Sequence, residues 1–125
     1  MWVRWCVGNF RQLRVWRAAK QFVIDVDRIS PRLRGARGRT LRDQLTRASV
    51  SIYDGIVEGS GQQSPREFAR YIRTSITSAD EAEGHLELGR ALKLIPQVDC
   101  EKLIADVIEI RKMLYGLLKR LDSDD

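Results

Sequence analysis

The chain has 125 residues, with 22 Lys and Arg against 17 Asp and Glu, a formal net charge of +5, and 43% hydrophobic residues. That length suits one domain that buries its own core without staples, and no apolar run reaches the roughly 18 residues of a membrane helix. The two cysteines, Cys6 and Cys100, have no short metal-binding spacing between them, so in a helical chain they read as idle or buried thiols rather than a disulfide.

The charge is unevenly placed. Residues 1–50 hold 12 Lys or Arg against 3 acids, whereas residues 51–125 hold 10 against 14. Such polarity points one face or end of the molecule at something anionic.

Residues 1–8, MWVRWCVG, form an apolar N-terminal extension. Arg4 and Arg11 interrupt it well short of a secretory core, so a cytoplasmic location is the default expectation. A first helix is expected over about 9–29, with Asn9 as N-cap and Pro31 as the stop. Leu13, Trp16, Ala19, Val23 and Val26 fall on one face, and Val15, Ala18, Phe22 and Ile29 add a second stripe beside it. A stripe that wide suggests a subunit interface.

Between Ser30 and Arg39 the run SPRLRGARGR lacks periodicity, and its Pro and Gly content marks a 10-residue loop. Its four arginines, Arg32, Arg34, Arg37 and Arg39, have no acid among them. A second helix over about 40–58 carries Leu41, Leu45, Ala48, Ile52 and Ile56 in an unbroken amphipathic register. Gly59 is placed to close it in the left-handed conformation.

Ser64-Pro65-Arg66-Glu67 then reads as a capping box, with serine as N-cap, proline at the first helical position and glutamate three residues on. The third helix, about 65–95, carries Phe68, Ile72, Ser75, Ala79, Ala82, Leu86 and Gly89 toward Pro96, and spans roughly 46 Å. Small residues fill its middle and allow close approach of a neighbour. A fourth helix over about 100–121 presents Leu103, Val107, Ile110, Leu114, Leu117 and Leu121 at heptad spacing. No strand alternation intervenes. The chain is therefore expected to be all-α, a single antiparallel up-down four-helix bundle over residues 1–125.

Several residues together carry a family resemblance. The order Phe10, Leu13, Val15-Trp16, then Gln44, Arg47, Ser51-Ile52, Ile56, Glu58-Gly59, and Phe68 with Ser78 and Glu81 resembles the bacterial four-helix bundle proteins. These include proteins encoded in 23S ribosomal RNA intervening sequences and the accessory variability determinants of diversity-generating retroelements. The resemblance implies a ring-like homo-oligomer, a homopentamer. For the retroelement branch it also implies nucleic-acid binding and association with a reverse transcriptase. The chain departs from the pattern where Gly55 replaces a usual asparagine, where Ser75 and Thr77 replace alanine and glycine, and in the arginine-rich run after Pro31.

Catalytic chemistry finds little support. His85 lies four residues after Glu81, but a di-metal bundle needs repeated Glu-x-x-His motifs, and the chain has none. No hydrolytic triad, P-loop or dinucleotide fingerprint is present, so neither a cofactor nor a metal is expected. Cys100 falls in the first turn of a helix, where Asp99 and Glu101 oppose thiolate formation. Glu58 suits a bond to turn amides or a pair with Arg47, and Ser51 suits close helix packing. The sharper expectation is a non-catalytic accessory that binds RNA or DNA through Arg11, Arg14, Arg28, Arg32, Arg34, Arg37 and Arg39, because guanidinium forks match phosphates. The alternative is an interaction scaffold for a protein partner with no nucleic-acid role.

Overall fold

The computed structural model describes residues 9–124, so the expected N-terminal extension lies outside the described residues. Four helices follow one another: α1 (Arg14–Ile29), α2 (Gly35–Ser60), α3 (Pro65–Ala91) and α4 (Gln97–Asp124), with 3-10 turns at Phe10–Gln12 and Ser30–Arg32. No strand occurs among the described residues. The expected all-α class and its four helices are observed.

Each helix packs on the next, and α1 also packs on α4, closing a ring of neighbours around one core. Pairs across α2 and α3 run in opposite order: Gly59 lies against Phe68, Gly55 against Ser75, and Gly89 against Leu41. Arg73 meets Asp122 and Arg111 meets Asp80 across α3 and α4 in the same sense. The neighbours are therefore antiparallel, as short connections require.

The apolar registers of α2, α3 and α4 hold at every position. Leu41, Leu45, Ala48, Ile52 and Ile56 are buried, as are the seven expected α3 residues from Phe68 to Gly89 and the six heptad residues of α4. In α1 the register differs. The core line is Val15, Ala19, Phe22, Val26 and Ile29, drawn from both expected stripes, while Leu13, Trp16 and Ala18 pack only at its edge.

Helix boundaries move for identifiable reasons. Asn9 makes no side-chain cap; the chain takes a 3-10 turn, Leu13 is extended, and α1 opens only at Arg14. The α3 start is as expected, because the Glu67 amide donates to Ser64 Oγ at 3.1 Å. The Glu67 carboxylate, however, pairs with Arg70 at 3.5 Å rather than completing the box.

Gly59 does not end α2 in a left-handed conformation. It is helical and buried, and a Cβ there would meet the Phe68 ring at 2.8 Å, so glycine serves close approach to α3. Helix α3 stops at Ala91, where Lys93 adopts φ 56° and the Leu94 amide reaches back to the Gly89 carbonyl at 2.9 Å, a Schellman closure built on a lysine.

Candidate nucleic-acid interface

The largest correction concerns the run after Pro31. The expected 10-residue loop shrinks to a 3-10 turn and two residues, because Leu33 is buried and α2 already begins at Gly35. The two glycines that suggested a loop make this tight entry possible. Gly35 has φ +73°, and a Cβ at Gly38 would meet the Leu33 backbone at 2.7 Å. Arg34 therefore occupies the N-cap position, and Arg37 and Arg39 lie in the first turns of α2, all three exposed. The amino end of a helix adds its own partial positive charge to theirs.

The other candidate arginines separate from this group. Arg28 donates to Asp25 at 3.1 Å, and Arg32 donates to Asp99 at 2.7 Å. Both are thus held by acids of the chain; the run after Pro31 contains no acid of its own, and Arg32 finds its partner in Asp99 at the start of α4. Arg14 opens α1 and Arg11 precedes it, with the Arg11 guanidinium 4.7 Å from the centre of the Phe10 ring. A 16-residue α1 places roughly 24 Å between that end and the α2 entry. The seven arginines form two clusters at opposite ends, not one patch.

Among the described residues, Arg14, Arg34, Arg37 and Arg39 form no ion pair. The acids of α3 and α4 are largely engaged elsewhere. Arg111 bonds Asp80 at 3.1 Å and also Glu83, Arg73 pairs with Asp122, and Arg90 pairs with Glu87. The hydrogen bond that Arg111 donates to the Glu83 carboxylate is the main cause that raises the Arg111 pKa. The acid-rich half thus pairs many of its acids with its own bases, while Arg14, Arg34, Arg37 and Arg39 have no acidic partner among the described residues.

Two features escaped the sequence. Arg17 is exposed on α1 three residues after Arg14 and is also without an ion pair among the described residues; its spacing was the available signal. Asp25 is buried, and accepts from Gln21 at 3.0 Å, Arg28 at 3.1 Å and Lys102 at 3.4 Å, tying α1 to α4. An acid one residue before the core Val26 was its only sequence mark.

The remaining singled-out residues resolve as follows. Cys100 is buried and its thiol donates to the Leu86 carbonyl at 3.1 Å; burial pushes its pKa up. Ser51 and Ser78 share a hydrogen bond of 2.7 Å between α2 and α3. Glu58 is exposed and does not pair with Arg47; its backbone carbonyl accepts from the Gln62 side-chain Nε2 at 3.1 Å. His85 is not bonded to Glu81. It lines a groove of about 350 Å³ between the start of α2 and the end of α3, with Leu41, Leu88, Leu92, Leu94 and Arg37. Leu88 is 49% exposed there. No cluster of three or more metal-ligating side chains occurs among the described residues, and no helix is long and apolar enough to cross a membrane.

Fold and charge together define a four-helix bundle with two exposed basic ends. The chain belongs to the 23S rRNA-intervening sequence protein family, whose model matches residues 11–116. It is similar to a crystal structure of a protein of unknown function from the S23 ribosomal protein family of Bacteroides thetaiotaomicron, with a TM-score of 0.78 and 24% identity over 84% of this chain and 98% of that one. That likeness shows the fold. No curated protein matches the chain.

Proposed function

We propose that this chain is a non-catalytic accessory protein that binds RNA or DNA through Arg34, Arg37 and Arg39 at the α2 entry, supplemented by Arg11, Arg14 and Arg17 along α1. The observation that carries this reading is the exposure of these arginines without acidic partners among the described residues. The family name, which refers to sequences within 23S ribosomal RNA, supports an RNA setting. Cys100 and His85 give no support to catalysis, since the thiol is buried and the imidazole faces an apolar groove. Arg28 and Arg32 act chiefly as structural links to Asp25 and Asp99.

Self-assembly is part of the proposal. Leu88 and Leu92 at the α2–α3 groove, and Ile24 at 40% exposure on α1, are exposed apolar residues on different elements of one bundle. Two unlike contact points suit a head-to-tail contact that closes into a ring, consistent with the pentamer implied by the resemblance. A reverse-transcriptase partner belongs to the other branch of that resemblance, and the matching family is the intervening-sequence one.

The test is binding of random-sequence RNA and DNA by fluorescence anisotropy between about 50 and about 200 mM salt, where counterion release makes phosphate contacts steeply salt-dependent. Sedimentation of the same samples reads the assembly. A scaffold for a protein partner is the second reading, favoured by the exposed leucines of the groove. Absence of any polynucleotide shift, with salt-insensitive capture of a protein, would select it.

A further inference from the structure

We infer that the cluster of Phe10, Trp16 and Tyr53 is a stacking platform for unpaired bases, so that the chain takes single-stranded nucleic acid in preference to duplex. This rests on the nucleic-acid reading above and adds to it a site at the opposite end of α1 from Arg34, Arg37 and Arg39.

The platform follows from the fold. The 3-10 turn at Phe10–Gln12 carries Phe10 back over the first turn of α1, where its ring lies 5.2 Å from Trp16 at an angle of 54°. Tyr53 reaches Trp16 from α2, 6.4 Å away at 42°. All three rings belong to residues left half-buried rather than packed into the core. They form a row of tilted aromatic surfaces at the edge between α1 and α2. The Trp16 Nε1–H is covered yet meets no acceptor among the described residues. A buried donor without a partner is uncommon, and an ordered water or a bound group would satisfy it.

Cations surround the row. The Arg11 guanidinium lies 4.7 Å from the Phe10 ring centre and the Lys20 ammonium 5.2 Å from that of Trp16. Arg17 stands exposed one residue on from Trp16, without an ion pair among the described residues, whereas Arg14 lies on the α4 side with Met113 and Leu117. Rings interleaved with cations are what a single strand requires: bases stack on the rings while the phosphates lie against Lys and Arg. A duplex presents its phosphates but keeps its bases stacked on one another, so it can use the cations and not the rings. A purely protein partner would leave Arg11 and Lys20 uncompensated unless it were acidic, and the placing of a cation at each of two rings favours the strand.

The test compares three probes on the full chain: a single-stranded RNA oligomer, the same sequence in duplex, and an abasic oligomer of equal length that keeps the phosphates. The wild-type chain is expected to bind the single strand at least about tenfold more tightly than the other two, the scale of one to two stacked bases. Tyr53→Leu and Phe10→Leu, which retain apolar bulk and lose the ring, should each reduce single-strand affinity several-fold and leave duplex and abasic binding unchanged. Circular dichroism monitors the fold of both variants. Equal affinity for all three probes, or leucine variants that bind the single strand as the wild type does, overturns the platform while the general phosphate-binding proposal stands. Failure to bind any probe overturns both.

Discussion

Ser75 Oγ donates to the Ile52 carbonyl at 2.9 Å and occupies the space that a Cβ at Gly55 would enter, approaching the Oγ to 2.0 Å. The glycine and the serine are a matched pair: one helix gives up its side chain so that the other can bond across. A Cβ at position 55 would also come within 2.9 Å of the Tyr71 backbone carbonyl, which cannot swing aside. Gly55→Ala is therefore expected to destabilise the chain by about 1–2 kcal/mol, because overpacking outweighs the gain in helix propensity. Adding Ser75→Ala should recover part of the loss. Urea unfolding of the two single variants and the double variant reads the coupling, and strict additivity would deny it.

Lys93 holds φ 56° to close α3, a conformation that costs a residue with a Cβ about 1–2 kcal/mol. Its amide bonds Arg90 at 3.1 Å, and the next amide bonds Gly89, so the shape is imposed by the closure and not by the side chain. Lys93→Gly should stabilise the chain by about 0.5–1 kcal/mol after allowing for the glycine's greater freedom when unfolded. Thermal unfolding measures it, and a lowered midpoint would contradict the strain.

Cys100 links stability to pH. Burial raises its thiol pKa above the ordinary 9.0, so as pH climbs the unfolded chain loses this proton before the folded chain does. Its contribution is complete below pH 9.0 and declines as pH rises toward the folded value. Lys102 acts in the same direction at higher pH: its hydrogen bond to Asp106 raises its pKa above 10.5 despite partial desolvation, and that support is lost as the ammonium deprotonates. Denaturant midpoints should fall as pH rises above 9.0, and Cys100→Ala should flatten the first part of the fall. In a Cys6→Ser background, thiol labelling at neutral pH should be slow and should accelerate only with denaturant.

Much of the fold was legible in the residues because periodic burial dominates each helix. Every position that spacing placed in the core of α2, α3 and α4 is buried, with Ala69, Ile76 and Cys100 joining it from outside those registers, and Ser64-Pro65 marks the α3 start through cap chemistry alone. The failures sit where glycine was read as a breaker. Gly35 and Gly38 admit the buried Leu33 and start α2, and Gly59 admits Phe68; both uses depend on a neighbour distant in sequence or on a tight approach that spacing does not encode. The candidate site was legible in charge and not in geometry. Arginine content marked the first half of the chain, and the spacing of Asp25 and Arg28 in α1 allows their pair, but only a tertiary contact 67 residues apart pairs Arg32 with Asp99 and separates it from Arg34, Arg37 and Arg39, which form no ion pair among the described residues.

Arg32 tests that division. Its bond to Asp99 is exposed, so Arg32→Ala should cost no more than about 1 kcal/mol of stability and change polynucleotide affinity less than Arg37→Ala does. Equal losses of affinity would return Arg32 to the interface.

The decisive measurement compares two charge-matched triple variants in one salt titration with a single-stranded RNA. One carries Arg34→Ser, Arg37→Ser and Arg39→Ser; the other carries Arg66→Ser, Lys112→Ser and Lys119→Ser, exposed cations of α3 and α4. The first should lower affinity at least about tenfold and reduce the slope of log affinity against log salt by about 2, as expected for three lost contacts to a single strand. The second should leave both nearly unchanged. Equal effects from the two variants would mean that net charge, and not the α2 entry, accounts for binding.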